Sequence, residues 1–160
     1  MNSSPELVEA WRAVVTSHAA VTDRVQKALA AADLPPLSWF ELLLAVKRSP
    51  TGRPRMSELA EWLTLSRGGI TKLVDRLVDA GVVERVACAE DRRGLRAELT
   101  PAGERMLGEM EAVYATEVER HLAALSPEEA SLVAAALEKV TGSTCSAEAA
   151  EATPASAAAA

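Results

Sequence analysis

Apolar residues recur at three- and four-residue intervals along most of this chain, which is the spacing of one face of an α-helix. The pattern predicts a long helix from about Pro5 to Ala32 and a short apolar helix that a capping box of Ser38 and Glu41 opens. Two brief helices follow, capped by Ser57 and Ser66. Only three residues separate them, so the chain must turn sharply there.

Two short segments alternate apolar and polar residues and predict β-strands, at 82–87 and 95–99. Two more helices come after them, the first capped by Thr100 and the second capped by Ser126 and ending near Val140. The predicted fold class is therefore mainly α (α+β), with one small hairpin among six helices.

The composition is that of a globular protein, with 49% hydrophobic and 25% charged residues in 160. Apolar runs stay well below the ~20 residues that span a bilayer, and the N-terminus lacks the basic and apolar segments of a secretory signal. A cytoplasmic location without membrane contact is the expectation. Residues 143–160 are rich in alanine and low in complexity, and we expect a disordered tail there.

Charge is distributed unevenly along the chain. The net charge is -6, but Lys47 to Arg105 contains 12 Lys and Arg residues against 9 Asp and Glu, a local charge of +3. The rest of the chain carries -9. A basic centre between acidic flanks is consistent with a nucleic-acid partner that touches only the centre.

The second brief helix has two unlike faces. Its apolar residues must face a core: Ile70, Leu73, Val74, Leu77 and Val78. The opposite face is polar and includes Arg67, Gly68, Thr71, Lys72, Asp75 and Arg76. These are the parts of a helix-turn-helix: a short helix, a three-residue turn and a second helix whose long polar side chains point outward. Glycines near the start of the second helix would let its backbone amides approach a phosphate. An ordinary amphipathic surface helix is the alternative.

The hairpin after this helix has a basic tip. Asp91 is placed to hold the tip, and Arg92 and Arg93 extend from it, which suits the negative potential of a minor groove. Arg96 follows on the second strand. A solvated run of charges would explain these residues alone, but helix, turn, helix and basic wing in this order are more specific.

These segments together resemble the MarR family of bacterial transcriptional regulators. The resemblance rests on "LAEWLTLSRGGITKLVDRLVDAGVVER" and "DRRGLRAELTPAG", and the order of helices extends it from about residue 5 to residue 142. One departure is Ala97, where the second wing strand of the family usually carries a larger aliphatic residue. We expect this alanine to weaken the anchoring of the wing slightly.

The resemblance implies a homodimer that binds double-stranded operator DNA, by default as a repressor. It implies a helical dimerisation region at 5–35 and 101–142 and a winged helix-turn-helix at 36–100. The recognition helix at about 67–80 would enter the major groove and the wing at about 88–96 the minor groove. The DNA-binding candidates are Ser66, Arg67, Gly68, Thr71, Lys72, Arg76, Asp91, Arg92, Arg93 and Arg96. A monomeric helical core is the alternative to dimerisation.

Members of the family commonly release DNA when a small aromatic carboxylate binds. Trp11 and His18 share a face of the first helix, Arg12 is adjacent, and Trp39 begins the second helix. These four residues offer aromatic surface, a hydrogen bonder and a cation, which suit an aromatic or phenolic acid. Packing of the tryptophans in an interface is the alternative.

Other function classes find less support in the sequence. A regulator that responds to oxidation through Cys88, near the wing, is one alternative. The second cysteine, Cys145, lies in the expected tail. The two histidines have no ligand cluster, so neither a metal nor another cofactor is expected. We find no phosphate loop or catalytic constellation, and an enzyme is not expected. A winged-helix module that binds only protein would not need arginines and a lysine on one surface.

Overall fold

The computed structural model describes residues 4–87 and 95–151 and contains six helices and one hairpin within them. The elements in chain order are α1 (Pro5–Ala31), α2 (Leu37–Arg48), α3 (Met56–Trp62), α4 (Arg67–Asp79), β1 (Val83–Ala87), β2 (Leu95–Leu99), α5 (Pro101–Leu122) and α6 (Pro127–Glu151). The chain divides into one compact unit up to Glu119 and a second that begins at Arg120. The predicted fold class is confirmed.

A single aliphatic core holds the first unit together. It is made of side chains from the C-terminal part of α1, from α2 to α4, from both strands and from the start of α5. The apolar face predicted for α4 is part of it, because Ile70, Leu73, Val74 and Leu77 are buried and Val78 packs against them. This burial fixes which face of α4 points to solvent.

The N-terminal half of α1 contributes nothing to this core. Val25 and Leu29 are buried, whereas a stripe of large apolar residues nearer the N-terminus is exposed: Leu7, Val8, Trp11, Val14 and Val15. The second unit repeats this feature on α6, where Leu132, Val133, Leu137 and Val140 are exposed. Both helices therefore have apolar faces that the chain itself leaves open to solvent.

The turn between α3 and α4 is as tight as predicted. The amide of Leu65 donates to the carbonyl of Ala60 at 2.8 Å, and Thr64 has a positive φ of 52°. Ser66 then caps α4 by accepting a hydrogen bond from the Gly69 amide at 3.1 Å. At the other end, Gly81 has φ 71° and the Val82 amide reaches the Leu77 carbonyl, which closes the helix in a left-handed cap.

The hairpin is antiparallel and pairs Val83 with Leu99 and Ala87 with Leu95. Ala97 on β2 is fully buried, and its amide donates to the Pro54 carbonyl at 3.1 Å. The expectation that Ala97 weakens the wing's anchoring is not supported by this geometry, because a small residue at this position lets β2 lie against the segment that precedes α3.

A second junction ties the hairpin to α5. Thr100 donates its hydroxyl to the Gly81 carbonyl at 2.7 Å and accepts from the Gly103 amide at 3.1 Å, so it is the predicted cap. Gly103 lies so close to the backbone of Val82 that an added Cβ would be 2.0 Å from the Val82 oxygen. Only glycine fits there, and the start of α5 is held directly against the end of the helix-turn-helix.

Two predicted caps are wrong, whereas the cap predicted for α6 is confirmed, as were those of Ser66 and Thr100. Ser38 lies inside α2, because Pro36 precedes the helix and takes the N-cap position. Ser57 lies inside α3, where the Glu58 carboxylate instead accepts from the Arg55 amide at 2.6 Å. Ser126 does cap α6, with its hydroxyl accepting from Glu129 and its amide donating to the Glu129 side chain.

Helix α6 is longer than the sequence pattern predicted. It continues to Glu151, so the expected tail is helical from 143 to 151 rather than disordered. Alanine and glutamate favour helix, and the next proline is Pro154, so nothing in this segment stops the helix. The remainder of the expected tail, 152–160, lies outside the described residues. None of the described helices is long and apolar enough to cross a membrane.

Candidate nucleic-acid interface

The outward face of α4 is exposed and carries three cations. Arg67, Lys72 and Arg76 all point away from the core, because the buried residues of the helix occupy the positions between them. Thr71 is exposed on the same face, and its hydroxyl donates to the Arg67 carbonyl at 2.8 Å. The Thr71 oxygen keeps acceptor capacity and the methyl group stays free for apolar contact.

The one carboxylate in the middle of this helix is paired with a cation. Asp75 accepts a hydrogen bond from an Arg85 Nη2 on β1 at 2.5 Å, and both side chains are partly shielded from solvent. The Arg85 Nε is buried without a hydrogen-bond partner among the described residues, so this guanidinium depends on Asp75. The pairing neutralises Asp75 and joins the recognition-helix candidate to the hairpin.

The N-terminus of α4 is open to an approaching ligand. Ser66 uses its hydroxyl on the Gly69 amide, and an added Cβ on Gly69 would lie 3.3 Å from that hydroxyl. A Cβ on Gly68 would meet nothing within 4 Å. The Gly68 position is therefore free of protein neighbours, and its missing side chain leaves backbone amides accessible at the positive end of the helix.

Of the predicted wing residues, only Arg96 lies among the residues that the structure describes. Arg96 is half-buried on β2, and its Nη1 donates to the Arg53 carbonyl at 2.7 Å. Asp91, Arg92, Arg93 and the redox candidate Cys88 lie in 88–94, outside the described residues. Among the described residues, the strand pairing ends with Ala87 opposite Leu95.

Sequence reasoning missed two arginines beside the hairpin. The segment before α3 is not among the predicted DNA-binding candidates, but Arg55 in this segment forms a backbone bridge with Arg96 and is exposed. Arg53 forms an ion pair with Glu98 on β2 at 2.8 Å. The two arginines of "RPR" in this loop were a visible signal, but only the pairing with β2 brings them to the base of the wing.

The four predicted ligand residues lie on two different kinds of surface. Trp11 is 66% exposed, Arg12 pairs with Glu9 at 3.1 Å, and His18 is exposed further along α1. Trp39 is half-buried and packs against the core. His18 lies near Glu41, whose pKa is raised above the usual range by desolvation; the charge that His18 can carry opposes this shift in part.

No cluster of three or more His, Cys, Asp or Glu side chains suited to a metal occurs in the part of the chain that the structure describes. The site is thus built from arginine, lysine, threonine and backbone amides. This chemistry is suited to binding phosphates and base edges.

Comparison with known proteins agrees with this geometry. Residues 32–94 match the model of the MarR family. The structure is similar to that of AbsC, a MarR family transcriptional regulator from Streptomyces coelicolor, with 26% identity, a TM-score of 0.77, and coverage of 91% of this chain and 99% of AbsC. It is also similar to Sco3205 from the same organism, a MarR family transcriptional regulator solved in complex with DNA, with 26% identity, a TM-score of 0.69, and coverage of 100% and 96%.

A third similar structure is BpsR from Bordetella bronchiseptica, whose DNA binding is regulated by 6-hydroxynicotinic acid. The identity is 16% and the TM-score is 0.72, and the match covers 83% of this chain and 98% of BpsR. At this identity the similarity supports the fold alone. Together these matches confirm the resemblance to the MarR family of winged-helix transcriptional regulators. Members of this family are DNA-binding regulators and not enzymes, which confirms that expectation for the chain.

Proposed function

We propose that this MarR-type transcriptional regulator is a repressor that binds a pseudo-palindromic operator as a homodimer. Helix α4 enters the major groove, and the wing at about 88–96 lies along the flanking minor groove. The observation that carries the proposal is the outward face of α4. Its cations are exposed, Ser66 caps its N-terminus, and the space around Gly68 in its first turn is free of protein atoms.

The charge of this face favours DNA although the whole chain is acidic. Ion pairing with Arg85 neutralises Asp75, so the cations Arg67, Lys72 and Arg76 dominate the charge of the outward face of α4. Cations on one surface gain affinity by releasing counterions from the duplex, and acidic residues elsewhere do not cancel this gain at physiological salt because the Debye length is only ~8 Å.

The side chains on α4 have different roles in this proposal. Arg67 stands in the first turn, which is the part of a recognition helix that reaches base edges, and it is assigned to guanine. Thr71 contributes an acceptor and a methyl group one turn further along. Lys72 and Arg76 are assigned to phosphates. Ser66 and Gly68 present backbone amides, and Asp91 with Arg92, Arg93 and Arg96 supplies the wing.

Dimerisation would cover the exposed apolar faces within each unit. The stripe on α1 includes Trp11 and Val15, and the face of α6 includes Leu132 and Leu137. Side chains of this size are costly to leave in water, at about 1.5–3 kcal/mol each. Two-fold symmetry then requires an inverted repeat whose half-sites are about 10 bp apart.

An effector is the last part of the proposal. A small aromatic or phenolic carboxylate would bind the folded dimer and shift it towards an arrangement with lower DNA affinity. The sequence-based candidates for its contacts are Trp11, Arg12, His18 and Trp39. One protein of the same fold, BpsR, has its DNA binding regulated by 6-hydroxynicotinic acid, which is a molecule of this class.

The central test compares two cations on α4 against a matched control. An operator is first selected from random DNA with the purified protein. We expect Lys72→Ala to weaken binding on all sites alike and to reduce the salt slope by roughly one. Arg67→Ala should cost about 1–3 kcal/mol and relax preference at one position in each half-site.

Arg24→Ala on α1 removes a cation outside the proposed face and should leave binding unchanged. Identical sequence profiles for Lys72→Ala and Arg67→Ala would contradict the assignment of roles. A monomer that binds a half-site as tightly as the whole site, seen by sedimentation, would contradict the dimer.

A further inference from the structure

Two arginines lie side by side at the edge of the hairpin that β1 does not cover. Arg55, directly before α3, forms an antiparallel backbone bridge with Arg96 on β2. The Ala97 amide next to this bridge donates to the Pro54 carbonyl at 3.1 Å. Residues 53–55 therefore run along the outer edge of β2, and they bring a cation from outside the hairpin against a cation within it.

The side chains of this edge alternate between the core and the solvent. Pro54 and Ala97 are buried, whereas Arg53 and Arg55 are exposed and Arg96 is half-buried. Successive side chains of an extended chain point to opposite faces, so the arginines lie on the face away from the core. Residues directly opposite each other on one face have Cβ atoms about 5 Å apart. Arg55 and Arg96 are therefore direct neighbours, and we call them the arginine pair.

The charge of this outer face differs between two neighbouring rows of side chains. In one row, Arg53 forms an ion pair with Glu98 at 2.8 Å. In the next row, the β1 residue opposite Arg96 is Val86, which brings no charge. The ion pairs among the described residues do not include Arg55. Cations directly opposite each other repel, and an anion that touches both of them removes this repulsion.

Hydrogen bonds to the backbone position both members of the arginine pair. The Glu58 carboxylate accepts from the Arg55 amide at 2.6 Å, which fixes the backbone of Arg55 at the start of α3. Arg96 Nη1 donates to the Arg53 carbonyl at 2.7 Å, which holds the Arg96 guanidinium beside residues 53–55. A guanidinium has five N–H donors and can bind a phosphate through two of them while another holds a protein group.

We infer that Arg55, together with Arg96, binds one phosphate of the DNA strand that separates the major groove at α4 from the minor groove at the wing. A protein that occupies two adjacent grooves must cross the strand between them. The first helix of a helix-turn-helix crosses the phosphate backbone, and Arg55 directly precedes that helix, α3. Arg96 belongs to the proposed wing. The inference rests on the proposed function and adds to it a residue, Arg55, that contacts this strand.

Salt-dependent binding of the full chain to the selected operator measures this contact. Arg55→Gln should weaken binding roughly tenfold at each half-site and lower the salt slope by roughly one per half-site, because a charged contact to one phosphate is lost. Base preferences should stay the same, since phosphate contacts carry no sequence information. Arg55→Lys keeps the charge, so it should keep the salt slope and lose only the part of the affinity that needs a planar fork.

The chain offers two matched controls. Arg53→Gln combined with Glu98→Gln removes the neighbouring ion pair without changing the net charge, and it should leave the salt slope unchanged. Arg24→Gln removes an exposed arginine on α1 and should bind DNA as the parent does. Thermal melts check that each variant folds. Arg55→Gln keeps the backbone bridge and the amide that donates to Glu58, so its melting temperature should stay close to that of the parent.

A change in the DNA locates the phosphate. Methylphosphonate linkages, each of which removes the charge of one phosphate, are placed singly along the operator between the bases read by α4 and the flank at the wing. One such linkage in each half-site should weaken binding by the parent and by Lys72→Ala. The same linkage should have little further effect on Arg55→Gln, because its protein partner is already gone.

Several outcomes would overturn the inference. One is an equal salt slope for Arg55→Gln and the parent. Another is a methylphosphonate effect that is the same in both proteins at every linkage. Equal losses of affinity in Arg55→Lys and Arg55→Gln, with the salt slope of the parent in both, would show that Arg55 has only a structural role.

Binding to random duplex DNA keeps this inference apart from the proposed function. Operator binding that depends on Arg67 and Lys72 but not on Arg55 rejects only the phosphate contact. Binding to random duplex that depends on Arg55, in a protein that selects no operator, rejects only the proposed function. A parent protein that binds neither kind of DNA rejects both.

Discussion

Replacing Gly68 by alanine should raise stability and lower DNA affinity at the same time. Gly68 is in the first turn of α4, and an added Cβ would meet no protein atom within 4 Å. The folded protein alone therefore gives no reason for a glycine at this position. Close approach of the helix backbone to a phosphate does give one.

The two effects have different sizes. Alanine is better than glycine by about 0.5–1 kcal/mol inside a helix and by less in a first turn, so the melting temperature should rise by roughly 1–2 °C. A methyl group that keeps a phosphate from the amides removes a charge-assisted hydrogen bond, worth about 1.5–3 kcal/mol. The half-site affinity should then fall at least roughly tenfold.

Thermal melts and fluorescence anisotropy with the selected operator measure the two quantities. Gly108→Ala is the matched control, because Gly108 lies on α5 with open space around it and Glu104, Glu111 and Ala112 as its helical neighbours. This control should gain stability in the same way and bind DNA as the parent does.

The reasoning fails if Gly68→Ala binds the operator within twofold of the parent. A variant that melts below the parent would contradict the claim that a Cβ at this position meets no protein atom. A gain in stability together with a loss of affinity cannot be explained by damage to the fold.

Three further changes follow from single contacts. Gly103→Ala places a Cβ 2.0 Å from the Val82 oxygen and should cost about 2–3 kcal/mol in urea unfolding; a loss below about 0.5 kcal/mol would contradict the close approach. Asp75→Ala should lower the free energy of unfolding by about 1 kcal/mol, a value kept small because the ion pair with Arg85 is partly exposed. A double-mutant cycle with Arg85→Ala that shows no coupling would refute the ion pair. Arg93→Ala should keep the fold but lose preference for A·T-rich flanks, and unchanged flank preference in binding assays would remove the wing from DNA readout.

Much of the helix-turn-helix could be predicted from the sequence. The positions of Ile70, Leu73 and Leu77 follow helical spacing, and burial of that face leaves Arg67 and Lys72 outward without further information. Ser66 and Gly81 mark the ends of α4 because capping is a local interaction between residues three to five apart.

The same local rules failed where another residue competed for the role. Pro36 precedes α2 and displaced Ser38, and Glu58 rather than Ser57 satisfies the start of α3. The alanine-rich segment after Val140 has helix propensity but no apolar pattern, so a method based on periodicity ended α6 too early.

The sequence by itself determined the order of the helices, the polar face of α4 and the presence of a hairpin that follows α4. Each of these depends on the spacing of residues that are close together in the chain. Only the tertiary structure decided that Asp75 is neutralised by Arg85 and that Gly103 lies against Val82. It also brought Trp62 of α3 and Arg48 of α2 to the lining of one cavity. These pairs join separate elements, and their distances depend on how the shared core packs, which no periodicity along the chain encodes.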